Sequence, residues 1–545
     1  MATYKYLVLP LLALSSSSLY ANNNISADTN EKTDKVHVLD DIIIVANSTT
    51  RHTDPIGVAK ASDITVKKEE FKRRSSTVGN ALANEIGIHS NPFGGGASSP
   101  IIRGQEGVRI KILQNGTDVV DMSSVSPDHA VAADTLLADQ VEVVHGSSTL
   151  MYAMASAAGV VNIVDKRIPT TLPENGQETE VFSRYNSNSK EKLVTLGTTI
   201  GLADRFALRI EGLSRNADNY HVNHFKPGDK IIKFLPDSYN HSKVGTVGLS
   251  WIGDKGYIGA AYSSRRDQYG IPGHNHMLDS CTVDIFDTSK AETRERRYLY
   301  PFPHLMADQD IRAGVHTHCG NEQDSAHDHS HDNPYGHKHD HSSKGPWIDL
   351  SSQRYDFRAA YDQPLKGLDK IKLSMTYSDY QHDEMGDGKA YVSPHDARDL
   401  AARKRRDALA LLDKPLYHYA NKGLNTRLEF FHTPIAGFDG VLGLQYQTQT
   451  SQAVATDTPS SSLNQDRYLS QRTPLIKNTN KQWSVFGIEQ YRHGDFTFDV
   501  GFRAEKQAIP IEYNLDLLER YTSKRLDIKP DLSTYKKMRF HIPQV

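Results

Sequence analysis

From residue 177 onward, apolar residues alternate with polar or small ones in segments roughly ten residues long, the length that crosses a bilayer as a tilted β-strand. The segments are "KLVTLGTTIGL", "RFALRIEGLSR", "KVGTVGLSWIG", "GYIGAAYSSRR", "RYDFRAAYDQP", "KIKLSMTYSDY", "RLEFFHTPIAG", "GVLGLQYQTQT", "SVFGIEQYRHG" and "FTFDVGFRAEK". Tyr, Phe or Trp recurs near their ends, as interface girdles require. Short turns ("IGDKG", "AGFDG", "RHGD") alternate with long excursions over Asp218 to His241, Gln268 to Asp349 and His382 to Lys422. Tight turns at one rim and extended loops at the other are the mark of an outer-membrane barrel, and a soluble β-sandwich has no reason for so long an excursion. The pattern predicts about eleven strands, with room for one more near Met538 to Ile542.

Residues 55–170 have another texture. "STVGNALANEIGI" sets Val78, Leu82 and Ile86 at helical spacing behind a cap-type Ser76, which predicts a short helix. "GVRIKILQNG" and "DQVEVVHG" predict strands, the first closed by the turn pair Asn115-Gly116. "TLMYAMASAAGVVNIVDK" reads as a small-residue turn entering a β-branched strand. Together they predict a compact α/β domain without a lipid-facing belt.

Residues 22–54 form a polar leader around one β-prone island, "HVLDDIIIVAN". The run Ile42, Ile43, Ile44 and Val45 suits strand addition to a partner's sheet edge. It equally fits a first strand of the following domain, and periodicity does not separate the two. Residues 1–21 carry Lys5, an apolar run from Leu7 to Leu14 and Ala21, which predicts a secretory signal removed after Ala21, although Leu19 is larger than usual at its position. The run is far shorter than the ~20 apolar residues of a spanning helix.

Composition changes this picture little. With 38% hydrophobic residues, a mean hydropathy of −0.55 and a net charge of −3, the averages are those of a soluble chain. A transmembrane barrel gives the same averages, because only alternate strand residues face lipid. So small a net charge gives no case for a nucleic-acid partner. No His-Glu-x-x-His spacing and no paired nucleophile and base stand in a convincing context, so the chain is not read as an enzyme.

The chemistry concentrates in "HTHCGNEQDSAHDHSHDNPYGHKHDHSS". This tract holds His316, His318, His327, His329, His331, His337, His339 and His341, eight of the chain's 25 histidines, with Asp324, Asp328, Asp332 and Asp340 among them. Without branched apolar residues it cannot build a core, and neutral imidazoles two apart in a mobile loop bind Zn²⁺, Ni²⁺ or Cu²⁺ with redundant affinity. A low-complexity insertion or a pH-responsive patch is the alternative. Of the chain's two cysteines, Cys281 lies ahead of this tract and Cys319 within it. A disulfide, two free thiols and a thiolate in the metal site all remain open. His274, His276 and His304 lie in the same excursion, as further ligands or as exposed loop residues, and Asp218 with His221 forms a weaker candidate elsewhere. The pair Asp128-His129 reads, on its own, as a helix N-cap beside a surface histidine or as two metal ligands.

The motifs "LDDIIIVAN", "SPIIRGQEGVRIKILQNGTDVVD" and "DQVEVVHGSSTLMYAMASAAGVVNIV" resemble those of TonB-dependent outer-membrane receptors, over nearly all of the chain beyond the signal. Ala153 and Ala158 stand where that family commonly has Gly. Within the family, "SPDHAVAADTLLADQVE", "YGIPGHNHMLDSC", "YPFPH", "HTHCG", "GPWIDL" and "YSDYQHDE" are most similar to ZnuD-type zinc receptors.

The resemblance implies an α/β plug domain (55–170) followed by an antiparallel transmembrane β-barrel with long extracellular loops (177–545), with a TonB-box-like segment at 39–47. It implies TonB contact through Asp41, Ile42, Ile43, Ile44 and Val45, energised by the inner-membrane complex, in the lipid of a Gram-negative outer membrane. It implies a discrete zinc site from Asp128 and His129 on the plug and Glu384 on the barrel, with His382 and Asp383 nearby, and an external His-rich loop that captures metal. Zn²⁺ is then the transported ligand, and haem or a metal chelate is the alternative. The sequence ends after about half of a 22-stranded barrel, which predicts a truncated or interrupted receptor that does not insert as a closed monomer and leaves a non-transporting surface zinc-binding protein as a further reading.

Overall fold

The computed structural model describes residues 63–74, 77–153, 158–225, 231–274, 282–287, 313–318, 345–386, 413–455, 475–493, 496–510 and 539–544. The signal, the leader with its TonB-box-like segment, Cys281, Cys319, His276, His304 and the run His327 to His341 lie outside them.

The N-terminal domain is built on seven short strands: β1 (Ile64–Lys67), β2 (Ile88–Pro92), β3 (Ser98–Ile102), β4 (Ile110–Gln114), β5 (Thr117–Asp118), β6 (Gln140–Val144) and β7 (Gly159–Val164). Five of them form a mixed sheet in the order β1-β6-β7-β4-β5, with β4 and β7 parallel, while β2 and β3 pair as a hairpin. Val141, Val143, Val161 and Ile163 pack with Phe71, Leu82 and Ile102 into one buried cluster, as β-branched strands covered by other elements should. At the end of β4, Asn115 (φ +53°) and Gly116 (φ +79°) make the predicted tight turn, for which both left-handed positions suit Asn-Gly.

The helix falls short of its apolar spacing. It covers Val78–Leu82 with Thr77 as its N-cap residue, and Ser76 lies outside the described residues. The Glu85 N–H bonds back to the Leu82 carbonyl and the chain swings away at Gly87 (φ +75°), so Ile86 leaves the helical track and stands exposed.

The remainder forms a twelve-stranded antiparallel sheet. Its strands are β8 (Gln177–Asn186), β9 (Glu191–Leu202), β10 (Phe206–Ala217), β13 (Asn240–Gly253), β14 (Gly256–Gly270), β17 (Trp347–Leu365), β18 (Leu368–Met385), β19 (Pro415–His432), β20 (Phe438–Ala455), β21 (Leu475–His493), β22 (Phe496–Pro510) and β23 (Arg539–Gln544). Two separate hairpins, β11 (His221–Phe225) with β12 (Ile232–Phe234) and β15 (Thr282–Asp287) with β16 (Ala313–His318), stand in the excursions. The strands around the longest excursions run further than their apolar alternation predicts, to Gly270 and Met385 and from Trp347 and Pro415, because pairing continues where the outward face has turned polar.

Alternation sorts the two faces. Val247, Leu249, Leu442, Leu444, Val485 and Val500 stand exposed on the outer face, where the opposite register positions Tyr262, Tyr355 and Tyr377 form an aromatic row. The inner face carries Arg209, Glu211, Arg354, Asp356, Arg427 and Glu429, buried against the N-terminal domain. A lipid-side apolar belt around a polar interior is the arrangement of a transmembrane β-sheet.

Candidate metal centre

Period two on β18 sets Tyr380, His382 and Glu384 on one face of the strand. That face looks inward, onto the loop between β5 and β6 that carries Asp128 and His129. The loop is pinned from inside. The Asp121 carboxylate accepts the Ser123 N–H and O–H at 2.9 and 2.8 Å and the Ala132 N–H at 2.9 Å, tying the two ends of the loop together. Burial pushes the Asp121 carboxyl pKa up, and these donors oppose that shift. The barrel also holds the loop, since Asn421 Nδ2 donates to the Asp121 carbonyl (2.6 Å) and the Ala130 N–H donates to the Tyr269 hydroxyl (2.9 Å). A Cβ at Gly96 would lie 2.4 Å from Tyr269 Cγ, so only glycine lets Tyr269 seat against the plug there.

His129 is buried, with Nδ1 3.4 Å from the Met122 carbonyl and Nε2 3.2 Å from Glu384 Oε1. Burial alone would lower its pKa, but Glu384, Asp128 and the Met122 carbonyl outweigh it and hold it above the ordinary 6.5. The His382 ring lies 4.5 Å from that of His129 and stacks on Tyr419, its direct cross-strand partner, at 4.5 Å and 10°. His382 Nδ1 sits 3.0 Å from the Tyr380 hydroxyl, while its buried Nε2 has no hydrogen-bond partner among the described residues. One ligand atom from each of His129, His382 and Glu384 falls within 4.8 Å of the others. Two imidazole nitrogens and one carboxylate oxygen, with a position left open, are a donor set for Zn²⁺ and equally for Cu²⁺ or Ni²⁺.

The structure thus brings together His129 and Glu384 of the expected site and His382, one of the two residues expected nearby. Asp128 lies beside them, in a turn rather than at a helix N-cap, and its carboxylate takes the Ser126 hydroxyl on Oδ1 and His274 Nε2 at 3.3 Å on Oδ2. His274, half exposed, therefore meets the plug directly. Asp383 does not join, because alternation turns it to the opposite face, where it bonds His418 Nδ1 at 2.7 Å. His221 packs its ring on Phe234 at 4.3 Å. His316 and His318 fall in β16, whose backbone alone is described. Tyr380, Tyr419 and Tyr269 were not predicted, although the spacing of "YSDYQHDE" already puts Tyr380 on the ligand face.

Residues 58–160 match the TonB-dependent Receptor Plug Domain family. The chain carries a TonB-dependent receptor plug. The fold around it is similar to that of three solved transporters. The copper transporter OprC shares 14% identity over 84% of this chain and 56% of its own, with a TM-score of 0.55. The FrpB iron transporter from Neisseria meningitidis shares 11% over 82% and 59%, with a TM-score of 0.51. The unliganded ferric citrate transporter FecA shares 13% over 86% and 59%, with a TM-score of 0.50. The chain spans less than two thirds of the length of each. Plug and antiparallel sheet together make up the fold that this chain shares with these transporters, and the apolar outer face is the membrane-facing side of the strands.

Proposed function

We propose that the protein is a TonB-coupled outer-membrane receptor for metal uptake, and that its cargo is Zn²⁺ bound by His129, His382 and Glu384, with Asp128 and His274 at the outer side. The observation that carries the reading is the buried, partnerless Nε2 of His382 beside His129 and Glu384. A buried polar atom without a partner costs about 1–3 kcal/mol, and a bound cation removes that cost. The donors come from plug and sheet together, so moving the plug takes His129 away from His382 and Glu384 and weakens the site without chemistry on the metal. The His-rich tract would concentrate metal outside, and Asp41 to Val45 would take the pull of TonB. The domain division, plug over 55–170 and barrel from 177, belongs to the same proposal.

Cu²⁺ is the second reading. The same donors bind it more tightly by affinity order, and one fold relative is described as a copper transporter. Haem fits less well, because a macrocycle needs a flat cavity beside one imidazole, whereas these ligand atoms converge within 4.8 Å.

The test is energy-dependent accumulation of zinc and copper by metal-starved cells expressing the chain, with and without TonB, beside His129→Ala. TonB-dependent zinc uptake lost in His129→Ala supports the reading. Copper uptake in preference to zinc replaces the cargo, and haem-dependent growth insensitive to zinc replaces the ligand class. Metal bound by the cells but never imported leaves a surface binder.

A further inference from the structure

We propose that Tyr380 is a positioning residue of this metal centre: its hydroxyl accepts the Nδ1–H of His382 and so presents the Nε2 lone pair of that imidazole to the ion. The inference rests on the reading of His129, His382 and Glu384 as the site, and it adds a residue that touches no metal.

A neutral imidazole carries its proton on one nitrogen only, and the nitrogen that binds metal must be the bare one. For His382 the two nitrogens have unlike surroundings. Nδ1 faces the Tyr380 hydroxyl at 3.0 Å, and Nε2 faces the seam with no partner among the described residues. A phenol oxygen accepts as readily as it donates, so it can hold the Nδ1 proton while Nε2 stays free. The ring has little freedom to choose otherwise. Tyr419 stacks on it within 10° of parallel, Tyr380 stands edge-on to it at 75°, and Tyr380 itself is fully buried among Met122, Ala130, Tyr269 and Leu350. His129 is arranged in the same way by a different acceptor, with Nδ1 toward the Met122 carbonyl and Nε2 toward Glu384. Both imidazoles therefore have an acceptor behind Nδ1, but His129 Nε2 already meets the Glu384 carboxylate whereas His382 Nε2 does not, and partners that orient a ligand in this way typically carry a ~10–100-fold share of metal affinity.

The experiment uses the purified full chain in detergent, titrated with Zn²⁺ and with Co²⁺, whose visible absorption bands report ligand number and geometry. The variants are Tyr380→Phe, which removes one oxygen and keeps the ring, His382→Ala, and Tyr377→Phe as a control on the lipid side of the same strand. The pattern of limited proteolysis checks that the plug is seated in each. Tyr380→Phe is expected to bind Zn²⁺ ~10–100-fold more weakly and to shift the Co²⁺ bands, with Tyr377→Phe unchanged. If His382→Ala loses binding while Tyr380→Phe keeps wild-type affinity and wild-type bands, the positioning role is overturned and the metal centre stands. If His382→Ala binds like wild type, the metal centre itself fails and the positioning role falls with it.

Discussion

The plug meets the sheet along two seams that are held differently. Toward the excursion side, His129 meets Glu384 and His382 side chain against side chain, beside the bonds of Asn421 and Tyr269 to the loop backbone. Toward the short turns, sheet arginines grip the plug by its backbone. Arg427 Nη1 and Arg503 Nη1 donate to the one carbonyl of Met151 at 2.5 and 3.1 Å, and the Arg427 guanidinium lies over Tyr152 (4.7 Å) and Phe486 (4.0 Å). Arg354 donates to the Asp118 carbonyl at 3.0 Å and to Thr117 Oγ1 at 2.6 Å. Backbone carbonyls cannot change protonation or take up a soft cation in preference to a guanidinium. The arginine seam therefore offers a metal no ligand, and the His129 seam is where the proposed cation would alter how plug and sheet are joined.

Four changes would break or sharpen that contrast, taken from the largest expected effect. Arg427→Ala takes from buried Glu429 the nearer of two cations, leaving Lys372 at 3.7 Å, and removes a donor from the Met151 carbonyl, and should cost up to ~3 kcal/mol in urea unfolding. Zinc affinity should fall in that variant only as far as the plug loosens, which faster proteolysis of the plug would report. His129→Ala should do the reverse, weakening zinc binding by more than the ~10–100-fold of an orienting partner while the urea midpoint without metal stays near wild type. If that midpoint drops as far as in Arg427→Ala, the two seams are not distinct. Tyr269→Phe leaves the buried Ala130 N–H without its acceptor and should cost ~1–3 kcal/mol, seen as a lower midpoint with and without zinc. Asp383→Asn, on the outer face and paired with half-exposed His418, should shift stability by at most ~1 kcal/mol and leave zinc affinity unchanged. A large loss of affinity there would bring the outer face into the site and undo the assignment of faces.

Much of this was legible in the sequence, for a reason particular to strands. Side chains alternate with period two, so "KVGTVGLSWIG" and "GYIGAAYSSRR" announce a membrane-facing side without any knowledge of their neighbours, and both fall inside paired strands of the sheet. The same rule separates Glu384 and His382 from Asp383, although residue type alone offers all three as metal ligands. The helix around Val78 misled at its end, because Ile86 keeps the apolar spacing while a backbone turn at Gly87, a tertiary matter, takes it out of the helix. The roles of Tyr380, Tyr419 and Tyr269 were hidden for another reason. An aromatic residue on a strand serves a lipid girdle or a ligand pocket equally well, and only the packing of the other domain decides which.

By itself, then, the sequence determined the membrane-crossing sheet, the plug ahead of it and the residue types able to hold a metal, since period and composition are local properties of a chain. The tertiary structure alone decided which of those residues meet. His129 and Glu384 are 255 positions apart, and their 3.2 Å contact exists only because the plug loop is clamped by Asp121, Tyr269 and Asn421 against one face of β18. No periodicity encodes that meeting, because it is the product of register across several strands and of the burial of one domain inside another.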